Sequence, residues 1–299
     1  MTVSRELYEL LAPQWMFRRG RGRWLNLLTT LFSIGPYGYL KEKAVGPYRL
    51  ALDPGDQNDR LYYFSLAGWG YTRLLSRILR PGDNVIDVGA NVGHFSATCG
   101  LFLGKSGNVY AIEANPTLVE RLHRVGAIED ACPIRPHHFA IAKSSGRMQF
   151  HIATVSGWSS TVANDTFTTA TAVEVPAITL DDFVQREGIR SLKLLKLDIE
   201  GGEADALLGA DQILTQQLTE FFLIETERHR LRSFGRTASE IAERMTDHGY
   251  VPVCLIDSDR ILPVDESRPI RTSFFGDTLY VTVSELGRAR EQIFGVRCN

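Results

Sequence analysis

Two acid-bearing stretches hold most of the chemistry this chain can do. The first is Asn84-Val85-Ile86-Asp87-Val88-Gly89-Ala90-Asn91-Val92-Gly93-His94-Phe95. An apolar, β-branched run breaks into a glycine turn and resumes as a helix-like segment over 95–103. Glycine lets the backbone approach a ligand closely, and a helix N-terminus presents free N–H groups. A dinucleotide site needs Gly-x-Gly-x-x-Gly, in which the second glycine admits a pyrophosphate. Here Gly89 opens the turn, Asn91 holds the second position and no glycine stands at 94, although Gly93 is adjacent. The pattern argues against a nicotinamide dinucleotide and for a nucleoside ligand without pyrophosphate. S-adenosylmethionine is such a ligand, and Asp87 at the strand end is placed to attract the ammonium of its amino-acid part.

The second stretch is Lys193-Leu194-Leu195-Lys196-Leu197-Asp198-Ile199-Glu200-Gly201-Gly202-Glu203. A buried apolar strand would deliver Asp198 to a cleft, with Glu200 in the turn beyond it. A carboxylate there can take or orient the proton of an acceptor hydroxyl. Glu203 suits the N-terminus of the following helix, where negative charge is favoured. A divalent metal held by Asp198 and Glu200 is a third, less favoured reading, since no third ligand is evident; no metal is assigned. Glu113 ends the strand 109–112, and its carboxylate can accept both ribose hydroxyls. Ala114 beside it, and Phe139 with its neighbours His138 and Ala140, are the candidates to edge the adenine.

These residues require strand ends lined up along one edge. The chain supplies them by alternating apolar strands (85–88, 109–112, 134–141, 192–199, 220–226, 251–256, 279–283) with helical segments. That alternation predicts an α/β fold, a doubly wound sheet whose ligands bind beyond the carboxyl ends of the strands. Residues 146–178 alternate in strand fashion around a Ser/Thr-rich middle and read as an inserted β-hairpin, with Trp158, Ser159 and Ser160 walling the acceptor site. Residues 1–45 read as an N-terminal helical extension, and 46–299 as one catalytic domain.

Composition narrows the partners. The chain has 299 residues, 44% hydrophobic and 23% charged, which is ordinary for a globular protein with a sizeable core. A net charge of −2 gives no pull towards nucleic acid, and no basic, aromatic-rich patch stands out. The four cysteines form no CxxC pair, so a reduced, cytoplasmic protein is expected. A basic cluster (Arg18, Arg19, Arg21, Arg23) precedes an apolar stretch from Trp24 to Phe32. Crossing a bilayer takes ~20 apolar residues, so this segment is read as a docking helix, with at most a weak membrane-surface contact.

Several stretches together resemble the FkbM family of S-adenosylmethionine-dependent methyltransferases. They are Val85-Ile86-Asp87-Val88-Gly89-Ala90-Asn91-Val92-Gly93, Ala111-Ile112-Glu113-Ala114-Asn115-Pro116, Thr179-Leu180-Asp181-Asp182 and Leu195-Lys196-Leu197-Asp198-Ile199-Glu200-Gly201-Gly202-Glu203, followed by Leu208-Gly209-Ala210 and Ile224-Glu225. The resemblance spans roughly residues 50–230 and implies a Rossmann-like, seven-stranded sheet. It also implies O-methylation of a sugar, a glycan or another hydroxyl-bearing metabolite. The chain departs from the family pattern twice. Gly68-Trp69-Gly70-Tyr71 lacks the usual acid, and Glu227 stands where a His is common, with His229 close by. Methyl transfer is then expected to use Asp198, helped by Glu200 or His229. A nicotinamide-dependent enzyme and a non-catalytic cofactor-binding scaffold are the rival readings.

Overall fold

The computed structural model describes residues 2–11, 21–65, 69–127, 131–153, 169–257, 260–264 and 276–295. Its centre is an eight-stranded sheet of β1 (Asn84–Val88), β2 (Asn108–Glu113), β3 (Ile134–His138), β4 (Leu192–Leu197), β5 (Thr219–Glu225), β6 (Tyr250–Asp257), β7 (Arg260–Pro263) and β8 (Asp277–Thr282). The spatial order is β7-β6-β8-β5-β4-β1-β2-β3. The five strands from β3 to β5 run parallel, and β8, β6 and β7 continue antiparallel. The order reverses between β1 and β4, which opens a crevice at their carboxyl ends.

Side-chain alternation explains why the sheet is covered on both faces. Ile86, Val88, Leu195, Leu197, Phe222 and Ile224 join one core with Phe183, Leu207 and Met245. Val85, Leu194, Phe221 and Leu223 join the opposite core with Leu74, Phe95 and Ile293. The result is a three-layer α/β/α fold, the Rossmann-like arrangement expected. Asp87 and Lys196 fall on the second face, two residues after Val85 and Leu194 and in register with each other. Both are charged, and both are buried.

The structure changes several details of the reading. The sheet has eight strands, not seven, because four-residue β7 folds back on β6. Only Ile261 and Leu262 of β7 are even half-buried, too short a run to register in the sequence. Residues 134–141 are not one strand. β3 stops at His138, and Ala140–Ile141 leaves the main sheet to pair with the end of Thr169–Ile178. That strand and Gly146–Ala153 form the expected antiparallel hairpin, so the insertion is a three-stranded sheet. The helical stretch that follows Glu203 is two helices, Glu203–Leu208 and Asp211–Thr215. The Asp181 carboxylate caps the second by accepting the Gln212 and Ile213 N–H groups. Lys41–Val45, expected at the end of a helical extension, is a strand paired with Tyr48–Leu52. Trp158, Ser159, Ser160, Arg18, Arg19 and Gly68 lie outside the described residues.

The upstream segment is locked to the main sheet by charge. Arg121, on the helix Pro116–His123, donates to the Ala51 carbonyl and ion-pairs with Asp59 Oδ2 at 2.5 Å. Asp59 also accepts the Asp53 N–H at 2.8 Å. The two side chains are 11% and 1% exposed, so water cannot replace either partner. Breaking a buried pair strands one charge and costs about 3–5 kcal/mol. Asp59→Ala is therefore expected to lower unfolding free energy by ~3 kcal/mol in urea titrations. A loss below ~1 kcal/mol would show that the joint is not a buried ion pair.

Candidate active site

A cavity of about 410 Å³ opens at the carboxyl edge, and its lining includes Gly89, Asn91, Glu113, Ala114, Phe139, Asp198, Glu200, Glu225 and Arg230. The glycine turn and the second acidic stretch meet there. At Gly89 the backbone has φ +77°, and a Cβ would sit 1.8 Å from the Asp198 carbonyl oxygen. Only glycine lets these two loops touch. Gly93, at φ +84°, packs behind the cavity, where a Cβ would meet Leu122 at 2.9 Å, and it is not part of the lining.

Glu113 is 7% exposed and shapes the turn from below. Its Oε2 accepts the Asn91 N–H at 2.9 Å and its Oε1 the Asn115 N–H at 2.8 Å. Burial pushes its carboxyl up, against the pull of these backbone donors. Asn91 is held at φ +51°, and its Oδ1 is shielded from solvent without a hydrogen-bond partner. Ala114 and Phe139 complete this end.

At the other end stands Lys196, 4% exposed. Its ammonium lies 2.8 Å from Asp198 Oδ2 and 3.6 Å from Asp87 Oδ1, with the Phe95 ring centroid 5.1 Å away. Burial works against that ammonium, but Asp198, Asp87 and Asp277 outweigh it and hold its pKa above the ordinary lysine value. Burial pushes the Asp87 carboxyl up, against Lys196 and the Ser96 hydroxyl, which donates to Asp87 Oδ2 at 2.6 Å. Asp87 Oδ1 has no hydrogen-bond partner and faces Lys196 only as a charge at 3.6 Å. Asp87 does not reach the cavity surface; Lys196 and Asp198 stand between them.

Glu200, at φ +63°, meets the Arg230 guanidinium, which also holds Glu227 at 2.6 Å. Of the expected catalytic trio, Asp198 and Glu200 come together in the cavity. His229 is exposed and outside the lining. Both it and Arg230 lie on the helix Arg228–Ser233, where successive side chains point ~100° apart, and Arg230 takes the inward direction. Glu203, expected as a cap, accepts the Ile199 N–H at 2.8 Å and the Gly201 N–H at 3.2 Å.

Sequence reasoning missed Lys196, Glu225, Arg230 and the neighbours Tyr62, His94, Tyr71 and Asp277. Lys196 had a signal: it lies two residues before Asp198, so the strand period sets both on one face. Tyr62 comes from the upstream helix Asp59–Tyr63 and stacks on His94 with ring centroids 4.2 Å apart. Burial pushes the His94 imidazole down to about 4, which leaves it neutral at pH 7. The Tyr71 hydroxyl donates to Asp277 Oδ2 at 2.5 Å, across 206 residues of chain. Among the described residues, no group of three or more His, Cys, Asp or Glu side chains is arranged to hold a metal ion.

The Methyltransferase FkbM domain matches residues 87–252, more than half of the chain. The chain belongs to the FkbM methyltransferase family, and S-adenosylmethionine is its cofactor. No curated protein matches it significantly in sequence. Solved structures similar to it include fibrillarin from Aeropyrum pernix with natively bound S-adenosylmethionine, at 12% identity, TM-score 0.38, covering 81% of this chain and 100% of that one. An S-adenosylmethionine-dependent O-methyltransferase from Thermotoga maritima matches at 15% identity and TM-score 0.38, covering 85% of this chain and 80% of that one. A TehB-like methyltransferase from Corynebacterium glutamicum matches at 14% identity and TM-score 0.39, covering 75% and 92%.

The Asp277 carboxyl gives a test of the site's electrostatics. Burial and the nearby Asp198 raise it from 3.8 to about 6, against Lys196 and Tyr71. A carboxyl raised on folding favours the fold while protonated. That contribution is lost as pH rises through the folded value of about 6. Asp277→Asn keeps the acceptor for Tyr71 and removes the charge. The variant should exceed the parent in stability by ~1–3 kcal/mol at pH 8, with the gap closing below pH 4. Equal stability across that range would contradict the buried-charge assignment.

Proposed function

We propose that the chain transfers the methyl group of S-adenosylmethionine to a hydroxyl oxygen of a small acceptor, a sugar, a glycan or a similar hydroxyl-bearing metabolite. The observation that carries this is Asp198. It is 32% exposed, lines the cavity and is held at 2.8 Å by a buried lysine. When bound, the cofactor supplies an electrophilic methyl on a sulfonium, so the protein has mainly to position, desolvate and move a proton.

The residues fit that task. Glu113 has lone pairs left for the ribose hydroxyls after its two backbone bonds. The bare Gly89 backbone and the unpartnered Asn91 Oδ1 suit a polar group lying across the turn. Ala114 and Phe139 edge the adenine, and Gly93 fixes the turn from behind. Asp87 acts one step back, through Lys196, and aims Asp198. Asp198 orients the acceptor hydroxyl and takes its proton as the oxygen–carbon bond forms. Glu200, clamped by Arg230, closes the acceptor end. His229 stands outside the lining, so the proton is assigned to Asp198 and not to the imidazole.

Two peripheral features agree with the wider reading. Cys99, Cys132 and Cys254 are buried free thiols, which suits a reducing cytoplasm. Leu10, Leu27 and Leu31, exposed on the two N-terminal helices, suit a weak contact with a membrane surface. No helix among the described residues is long and apolar enough to cross a membrane.

The test pairs binding with turnover. S-adenosylhomocysteine should bind in calorimetry while NAD does not, and tritiated methyl should pass to members of a panel of hydroxylated glycans. Asp198→Asn should cut transfer at least ~100-fold and leave S-adenosylhomocysteine affinity within about threefold. Undiminished transfer by Asp198→Asn would remove this residue from the mechanism. Binding without transfer to any hydroxyl compound would favour the scaffold reading.

A further inference from the structure

The cavity wall and the shell behind it hold more carboxyl groups than their cations neutralise: Asp198, Glu200 and Glu225 line the cavity, and Asp87, Glu227 and Asp277 stand outside the lining. Asp87 and Lys196 are paired in register on β1 and β4, and Glu225 faces Asp277 on β5 and β8. Lys196 is shared by Asp87 and Asp198. Arg230 is shared by Glu200 and Glu227. Glu225 reaches Arg230 only distantly, at 3.8 Å through Oε1. Its Oε2 is shielded from solvent in the cavity wall and has no hydrogen-bond partner. Asp277, 4% exposed, is met by the Tyr71 hydroxyl, a neutral donor. An orphaned carboxylate oxygen in a dry wall is stabilised by a cation and by little else.

We infer that this row of carboxyls reads the charge of the cofactor, holding the sulfonium cation of S-adenosylmethionine and releasing the neutral thioether that remains after transfer. The inference rests on the cofactor assignment above. In methyl transfer the sulfur–methyl bond breaks, its electron pair stays on sulfur, and the positive charge leaves the ligand. The row then loses its counter-charge, and the product loses its main electrostatic hold. Glu225, in the cavity wall, is the specificity-determining residue in this account, and Asp277, its cross-strand neighbour outside the lining, is a positioning residue that acts through it. Their target is the charge at sulfur, whereas Glu113 and the glycine turn hold the adenosine common to both forms. Burial and the neighbouring Asp198, Glu203, Asp277 and Glu227 keep the Glu225 carboxyl well above its ordinary range while no cation is present.

Calorimetric titration without acceptor decides the matter. Three probes share the adenosine: S-adenosylmethionine, sinefungin (which carries an ammonium in place of the methyl-sulfonium) and S-adenosylhomocysteine. Both cations should bind at least about tenfold more tightly than the neutral compound at pH 7.5 and low salt. Glu225→Gln and Asp277→Asn should each shrink that ratio about threefold or more, with S-adenosylhomocysteine affinity nearly unchanged. Equal affinity for all three probes in the parent protein would overturn the inference and leave the cofactor assignment standing. Binding of none would overturn both. If a variant fails to fold, the ratio in the parent protein decides alone.

Discussion

The structure depends on one buried ammonium. Lys196 sits on a strand whose other inward residues are leucines, and moving it out of water is costly unless carboxylates meet it. They do so only if β1 and β4 are adjacent, parallel and in register, so that Asp87 lies across from Lys196. The helix His94–Leu103 must also cover the pair, bringing Ser96 to Asp87 and the Phe95 ring to Lys196. Finally, the chain after β4 must turn so that Asp198 comes back to the same ammonium. That turn presses the Asp198 carbonyl against Gly89, where no Cβ fits. Register, helix cover and glycine turn are thus three conditions of one ion cluster.

The cavity draws on more of the chain than the family domain. Residues 87–252 match the family, and they contribute the turn, Glu113, Lys196, Asp198 and Glu225. Asn58 and Tyr62 come from upstream, carried by a segment that the Asp59–Arg121 pair fastens down. Tyr71 and Asp277 flank the domain on either side and close on each other, outside the cavity lining. The matched region supplies most of the lining, and the upstream flank adds Asn58 and Tyr62 to it.

Much of this was legible in the sequence. The parallel strands announced themselves as apolar runs, and the turns at Gly89 and Gly201 marked where they end at the cleft. Glu113 and Asp198 followed as strand-end acids. Three kinds of feature were not legible. Pairing across strands was one: Lys196 meets Asp87 through sheet register, which spacing along the chain does not encode. Direction around a short helix was another: His229 and Arg230 are neighbours in sequence, but only Arg230 turns inward. The third was departure from a sheet. The 134–141 run looks continuous, yet the Phe139 N–H bonds to the Glu113 carbonyl and Ala140–Ile141 then joins the inserted hairpin.

The central claim is that one cavity holds adenosine at Glu113 and presents a methyl group to Asp198. A crystal structure of the protein with S-adenosylhomocysteine tests it most directly. The account predicts ribose hydroxyls on the Glu113 carboxylate, adenine beside Ala114 and Phe139, and the sulfur facing Asp198. A ribose bound away from Glu113, or a sulfur turned from Asp198 towards the inserted hairpin, would contradict it.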